Sequence, residues 1–361
     1  MKKRILISTG GSGGHVIPAT AFYDHLKENF EVYLTLDNRG SKFINQNKYN
    51  FEIISSPRLT LNFIKLPLTF ISLIISILRS IFYLKNKKID ILIGTGGYMS
   101  VPFCIAAKIL NIKIYLFEPN MVIGRSNKFL LKLSTKLFCY SDKIINFPEK
   151  YINKMIIINH IFRKEIYNFN NCIKEEIDKK INLLVVGGSQ GAKIFDKEIK
   201  NSILDLSKKY KLMIYHQASS SDLSNLEFFY KENNIENKLF NFQENIFQYI
   251  KETNLAITRA GASTLSELAF FKVPFIAIPY KFATDNHQLE NALNYEYNGC
   301  CWILKEKEFD QDKLTSLLIN IIENKDDYLN KKNNLEKFCY QNTWNNINEK
   351  VISSLIVNWV S

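Results

Sequence analysis

The sequence has little with which to staple a fold covalently or around a metal. Its six cysteines (Cys104, Cys139, Cys172, Cys300, Cys301 and Cys339) form no CxxC pair and share no ligand spacing with histidine. That excludes a disulfide framework and fits small buried thiols in a reducing cytoplasm. His25, His160, His216 and His287 are equally scattered, so none reads as part of a zinc site. Only eight of the 361 residues are proline, and 46% are apolar against 23% charged, which excludes a disordered or collagen-like chain. The apolar run after Met1, Lys2, Lys3 and Arg4 is only Ile5, Leu6 and Ile7, too short for a secretory leader.

Acidic residues are scarce in the first half. Residues 1–160 hold 22 Lys+Arg against nine Asp+Glu, whereas residues 161–361 hold 25 against 26, so the net charge of +12 belongs to one lobe. A basic lobe beside a neutral one points to an anionic surface, membrane or nucleic acid. Residues 63–84 are strongly apolar, but their longest uncharged stretch, 66–78, falls short of the ~18 residues of a spanning helix. Two readings stand. The segment is a buried helix, or it lies in a membrane interface with Phe63, Phe70, Ile74 and Phe82 in the acyl boundary and Lys65, Arg79, Lys85, Lys87 and Lys88 at the headgroups. The charge asymmetry favours peripheral contact over a span.

What is present is a repeated pattern of strand, Gly-rich turn and helix. Strands are expected at residues 4–9, 31–36, 90–93, 113–117 and 136–140, then again at 181–186, 212–215, 239–242, 255–258 and 275–278. Helices follow the turns 10–14, 94–97 and 187–191. Alternation of this kind gives an α/β chain of two doubly wound parallel sheets, with ligands expected at the strands' carboxyl ends and in the cleft between domains. A polar stretch at 168–180 marks the neighbourhood of a linker.

Glycines at three strand ends let backbone amides approach an anion at a helix N-terminus, so diphosphate binding is the better reading than three plain turns. Asp37 ends the second strand where a dinucleotide-binding fold places its ribose carboxylate. The loop nevertheless lacks G-x-G-x-x-G, because Val16 stands at the last glycine position, and no P-loop lysine motif occurs. His15 opens the helix after the first loop, either as a proton acceptor or as a helix-terminal histidine bonded to backbone. In residues 259–267, Thr264 and Glu267 have capping-box spacing, while Glu267 also suits two neighbouring ribose hydroxyls. Residues 285–291 are crowded with acids and amides suited to a polyhydroxyl ligand or to a surface helix start. Asp310 and Asp312 match a D-x-D metal signature formally, yet they stand at an amphipathic helix start, where capping is the expected role.

Taken in order, Gly10-Gly11-Ser12-Gly13-Gly14-His15-Val16-Ile17-Pro18, Gly96-Gly97-Tyr98-Met99-Ser100, Glu118-Pro119-Asn120, Gly187-Gly188-Ser189-Gln190-Gly191-Ala192, Arg259 through Glu267 and Asp285-Asn286-His287-Gln288 resemble the MurG family of peptidoglycan N-acetylglucosaminyltransferases. The resemblance implies a GT-B fold, two Rossmann-like domains facing across a cleft. Residues 1–162 would take the lipid acceptor, 163–340 would bind UDP-GlcNAc, and 341–361 would cross back as a helix. It implies an inverting, metal-independent transfer of GlcNAc from UDP-GlcNAc to the C4 hydroxyl of MurNAc in undecaprenyl-diphospho-MurNAc-pentapeptide. His15 would be the base, with Glu118 as the second choice. Ser12, Gly13 and Gly14 would approach the diphosphate, and Asn120, Gln288 and Asn291 the GlcNAc. Arg163 and Ser189 would lie along the nucleotide, Gln243 near the uracil, Ala262, Ser263, Thr264, Leu265 and Ser266 around sugar and phosphates, and Glu267 on the ribose. No cofactor and no nucleic acid is implied. The partners implied are the lipid acceptor, an anionic membrane at the cytoplasmic face of the bacterial inner membrane, and other cell-wall synthesis proteins. Two departures from the family pattern are Ser12 for threonine and Phe117-Glu118-Pro119-Asn120 for His-Glu-Gln-Asn.

Overall fold

A computed structural model of the chain describes residues 2–54, 66–169, 177, 180–188, 192–243 and 245–357. The chain forms two compact units, the first made of residues 1–167 and 342–361, the second of 168–341.

Unit 1 runs β1 (Arg4–Ser8), α1 (Gly13–Leu26), β2 (Glu31–Leu36), β3 (Glu52–Ile53), α2 (Leu66–Asn86), β4 (Ile91–Gly94), α3 (Ser100–Ile109), β5 (Lys113–Glu118), α4 (Arg125–Leu130), β6 (Lys136–Cys139), β7 (Met155–Ile157) and α5 (Lys164–Tyr167). All strands are parallel, in the order β3-β2-β1-β4-β5-β6-β7. Continuous apolar strands such as Ile5-Leu6-Ile7 arise because both sheet faces are covered. Ile5 and Ile7 face a core with Val16, Phe22 and Leu26 of α1, while Leu6 faces one with Tyr83 and Leu84 of α2 and Phe103 of α3. The two-residue β3 and three-residue β7 have no counterpart in the sequence reading, being too short to show a period.

Unit 2 runs β8 (Ile181–Val186), a π-helical turn (Phe195–Ile199), α6 (Lys200–Ser207), β9 (Leu212–Gln217), α7 (Leu223–Glu232), β10 (Glu236–Phe240), α8 (Phe247–Ile250), β11 (Leu255–Thr258), α9 (Ala262–Phe270), β12 (Phe275–Ala277), α10 (His287–Tyr297), β13 (Cys301–Ile303), α11 (Gln311–Glu323) and α12 (Lys325–Cys339). Its parallel order is β10-β9-β8-β11-β12-β13. In each sheet the order reverses beside the first strand, between β1 and β4 and between β8 and β11. That reversal is where doubly wound sheets open a crevice for ligands.

The chain then rejoins unit 1 as α13 (Trp344–Val357), whose Ile347, Val351 and Leu355 enter the core with Ile5 and Ile7. His25 of α1 stacks on Trp344, with ring centroids 3.8 Å apart. The Phe162 carbonyl accepts from Nε2 of His25 at 3.1 Å, so Nδ1 takes its hydrogen bond from the Asn348 amide at 2.6 Å. Burial holds this imidazole neutral, its pKa lowered to about 4. Next to it, the buried Asp24 carboxylate accepts from the backbone N–H of Lys164 at 3.3 Å. The break between units therefore falls after Tyr167, and Arg163 to Tyr167 go with unit 1.

Candidate active site

In unit 1, the turn between β1 and α1 is fixed from below. Asp37, just after β2, accepts from the Gly11 and Gly40 amides at 2.8 Å each and from the Tyr98 hydroxyl, which in turn accepts from Arg39. Burial pushes the Asp37 carboxyl up. The Tyr98 hydroxyl, the two amides and Arg39 outweigh burial and hold its pKa below the ordinary aspartate value. Asp37 is thus a loop-pinning group and not the exposed ribose ligand of a dinucleotide fold. The approach is close: a Cβ on Gly10 would meet Asp37 Oδ1 and Met99 Cγ at 2.7 Å. Ser12, in an extended conformation, stands at the N-cap position of α1 with no side-chain capping bond and leads into Gly13 and Gly14.

His15, on the first turn of α1, is held by the second glycine turn. The Thr95 carbonyl lies 2.9 Å from its Nδ1, and Thr95 Oγ1 donates to the His15 carbonyl at 3.1 Å. A carbonyl can only accept, so Nδ1 carries the proton and the lone pair of the neutral ring is on Nε2, the form a base needs. Gly96 and Gly97, at φ +93° and +76°, lie against this ring: a Cβ on Gly96 would sit 3.1 Å from its Cε1.

Glu118, at the end of β5, is 2% exposed and accepts four hydrogen bonds. Its Oε1 takes the backbone and side-chain N–H of Asn120 at 3.2 and 2.9 Å; its Oε2 takes the Gly124 amide at 2.7 Å and Asn127 Nδ2 at 3.0 Å. A carboxylate engaged in this way orients Asn120 and the loop before α4. Arg163 is 1% exposed.

In unit 2, Gln217 does for the β8 turn what Asp37 does for the β1 turn. Its Oε1 accepts from the Gly187 amide at 3.1 Å and its Nε2 donates to the Gly188 carbonyl at 3.0 Å. Ser189 lies outside the described residues. The helix after Arg259 begins at Ala262 with Gly261 as its N-cap, so Thr264 and Glu267 are interior to α9 and the capping-box alternative is corrected. Glu267 is a buried carboxylate, while Ala262, Ser263 and Thr264 at the helix start are half-buried, followed by the buried Leu265 and Ser266. Gln243 is exposed.

Gln288 Oε1 accepts from the Tyr280 amide at 3.0 Å, and Asn291 Nδ2 donates to the Ala260 carbonyl at 3.1 Å. Just before α10, Asp285 and Asn286 both adopt left-handed conformations, φ +53° and +55°. Strain of this kind in consecutive non-glycine residues persists only where surrounding contacts enforce it. Asp310 is the N-cap of α11, its Oδ1 accepting from the Lys313 amide at 2.8 Å, which is the capping role expected of it.

The apolar segment is α2. Its buried face, with Ser76, Ser80, Tyr83 and Leu84, packs on α3. Its other face carries Leu68, Phe70, Ile71, Ile74, Ile75, Leu78 and Phe82, with Phe82 74% exposed, the reverse of an ordinary surface helix. Arg79 and Lys85 are exposed on the same helix, and Lys87 is paired with Glu52 at 2.8 Å. Phe63 and Lys65 lie outside the described residues. By length and composition alone, Pro67–Asn86 is the one described helix long and apolar enough to cross a membrane.

Neither Asp37 nor Gln217 emerged from the sequence as a loop clamp. The signal was there: superposing the two half-repeats puts both at the end of the second strand of their unit.

The two half-repeats match the N-terminal domain of glycosyltransferase family 28 over residues 5–139 and its C-terminal domain over residues 182–343. The UDP-N-acetylglucosamine–N-acetylmuramyl-(pentapeptide) pyrophosphoryl-undecaprenol N-acetylglucosamine transferase of Pelagibacter ubique is 52% identical, over 99% of this chain and 100% of its own. The protein of that name from Rickettsia canadensis is 36% identical over 89% and 91%. Among solved structures, MurG of Acinetobacter baumannii superposes with a TM-score of 0.72 at 22% identity, covering 92% of this chain and 95% of its own. Arabidopsis thaliana UGT89C1, solved with UDP-L-rhamnose, superposes at 0.70 with 13% identity over 99% of each chain, so the GT-B fold extends well beyond close relatives. Two parallel-sheet units, glycine turns at the ends of β1, β4 and β8, and this sequence likeness along nearly the whole length place the chain in glycosyltransferase family 28, as a member of its MurG family.

Proposed function

We propose that this chain moves GlcNAc from UDP-GlcNAc to the C4 hydroxyl of MurNAc in undecaprenyl-diphospho-MurNAc-pentapeptide, forming the lipid-linked disaccharide used for peptidoglycan. The observation that carries this reading is the 52% identity, over 99% of the chain, to a relative whose name states that transfer.

The acceptor oxygen attacks the anomeric carbon as the bond to UDP breaks on the opposite face, so α becomes β. The hydroxyl proton goes to Nε2 of His15, whose tautomer is set by Thr95. Glu118 acts through Asn120, which it orients toward the GlcNAc together with Gln288 and Asn291. Charge developing on the UDP phosphates is met by backbone amides at Ser12, Gly13 and Gly14 and at the start of α9, with Arg163 and Ser189 along the nucleotide. Glu267 takes the ribose hydroxyls, and Gln243 lies by the uracil. The exposed apolar face of α2, with Phe70, Ile74 and Phe82 beside Arg79 and Lys85, seats unit 1 on the anionic cytoplasmic face of the membrane that carries the lipid acceptor. The stripe of α2 that packs on α3 favours a helix lying along that surface over one crossing it.

The test is transfer from labelled UDP-GlcNAc to a short-chain analogue of the lipid acceptor, with EDTA present. Formation of the disaccharide lipid is the expected result. Tight binding of UDP-GlcNAc with no transfer to that lipid would overturn the acceptor assignment.

A further inference from the structure

One ion pair in unit 2 belongs to none of the roles above. Arg259 directly follows β11, and its Nη1 donates to Glu306 Oε2 at 2.6 Å and to the Ile278 carbonyl at 3.1 Å. Both side chains of the pair are more than nine-tenths buried. The guanidinium lies over two rings, 4.9 Å from the Phe195 centroid and 5.2 Å from that of Tyr280. Glu306 has a second duty: its Oε2 accepts from the Lys281 amide at 3.3 Å, and its Oε1 faces Lys281 Nζ at 3.7 Å.

These contacts come from four connections that leave carboxyl ends of adjacent strands. Phe195 follows the glycine turn after β8, Arg259 precedes α9, Tyr280 and Lys281 follow β12, and Glu306 follows β13. The β8–β11 reversal is the ligand-binding edge of this sheet. The loop held by Glu306 through Lys281 is also the one that runs into the strained Asp285–Asn286 pair and then Gln288. Strain must be enforced from outside the strained residues, and Glu306 supplies a buried anchor on that loop.

We propose that Glu306 is a positioning residue for the sugar-nucleotide donor: through Arg259 and the Lys281 amide it holds the start of α9 and the 279–288 loop in the arrangement that receives UDP-GlcNAc. The inference rests on the donor assignment above and adds to it a residue that touches no substrate. A group that acts this way sets donor binding in the ground state and leaves the chemical step alone, which is a KM effect.

The experiment measures steady-state transfer and UDP-GlcNAc binding by calorimetry on the full chain. Glu306→Ala raises the donor KM by roughly tenfold to hundredfold, the scale of losing a hydrogen bond to a charged group, with kcat and the lipid KM nearly unchanged. Glu306→Gln keeps an acceptor for Arg259 and the Lys281 amide and recovers most of the donor affinity. Breaking a buried pair also leaves an uncompensated charge. A double variant, Arg259→Met with Glu306→Leu, therefore removes both charges; it folds and still shows the raised donor KM. Tyr328→Phe, which loses a buried hydrogen bond to the Asn254 carbonyl at the opposite end of β11, supplies the stability control. Wild-type donor affinity in Glu306→Ala, or activity lost only in step with folded protein as in Tyr328→Phe, overturns the proposal. If the wild-type chain itself neither binds UDP-GlcNAc nor transfers from it, the donor assignment falls and this inference with it.

Discussion

Replacing Gly96 with alanine displaces His15 while leaving its imidazole chemically intact. At φ +93° a side chain is strained, costing about 1–3 kcal/mol. The new Cβ would stand 3.1 Å from Cε1 and 3.2 Å from Nδ1 of His15, tighter than ordinary contact, so the ring must retreat by a few tenths of an ångström. The bond that yields is Nδ1 to the Thr95 carbonyl, worth about 1 kcal/mol and responsible for placing the lone pair on Nε2. A domain stable by ~5–15 kcal/mol survives this strain. The chemical step does not escape, because a misplaced base costs about 10²-fold, or ~2.7 kcal/mol of barrier. We expect Gly96→Ala to lower kcat by about that factor and His15→Ala by ~10²–10⁴-fold, both with UDP-GlcNAc binding retained in calorimetry. The double variant should be no slower than His15→Ala, since both changes act on one group. Near-normal turnover in His15→Ala would refute the base assignment. A double variant far slower than His15→Ala would show that Gly96 acts by another route.

Three further outcomes follow from the same contacts. Neutralising Arg79, Lys85 and Lys88 should weaken binding to anionic vesicles by ~1 kcal/mol per charge at low salt and less at high salt, whereas Phe82→Ser should weaken it at every salt concentration; salt-independent binding by the charge variant sinks the interfacial reading. Leu355→Ala, in a fully buried position of α13, should destabilise unit 1 by about 2–5 kcal/mol in urea unfolding, and a cost near zero would mean that α13 is not part of this core. The folded-state pKa of Asp37 is depressed, so its contribution is present above the unfolded value near 4 and is lost as pH falls through the folded value; the stability gap between wild type and Asp37→Asn should close on acidification below that range, and a gap independent of pH contradicts the pinning role.

The two-fold strand–glycine–helix repeat, the parallel sheets and most strand positions were legible in residue order, because apolar runs covered on both faces are local and continuous. β11 is the clearest case, expected and found at residues 255–258. Residue order also picked out His15 and Glu267 as chemical groups, since glycine turns and helix starts are short-range signals, whereas Glu118 came only with the family resemblance. Their surroundings came from packing between distant segments. Capping-box spacing left Thr264 and Glu267 ambiguous until Gly261 proved to be the cap. The tautomer of His15 depends on Thr95, eighty residues away, and the clamps Asp37 and Gln217 act on turns 26 and 30 residues distant. The apolar segment shows no face in its composition; α3 selects one by packing on Ser76 and Ser80 and leaves the other outward. Local propensity is written in neighbouring residues, whereas hydrogen-bond partners and exposed faces depend on which strands the sheet order makes adjacent.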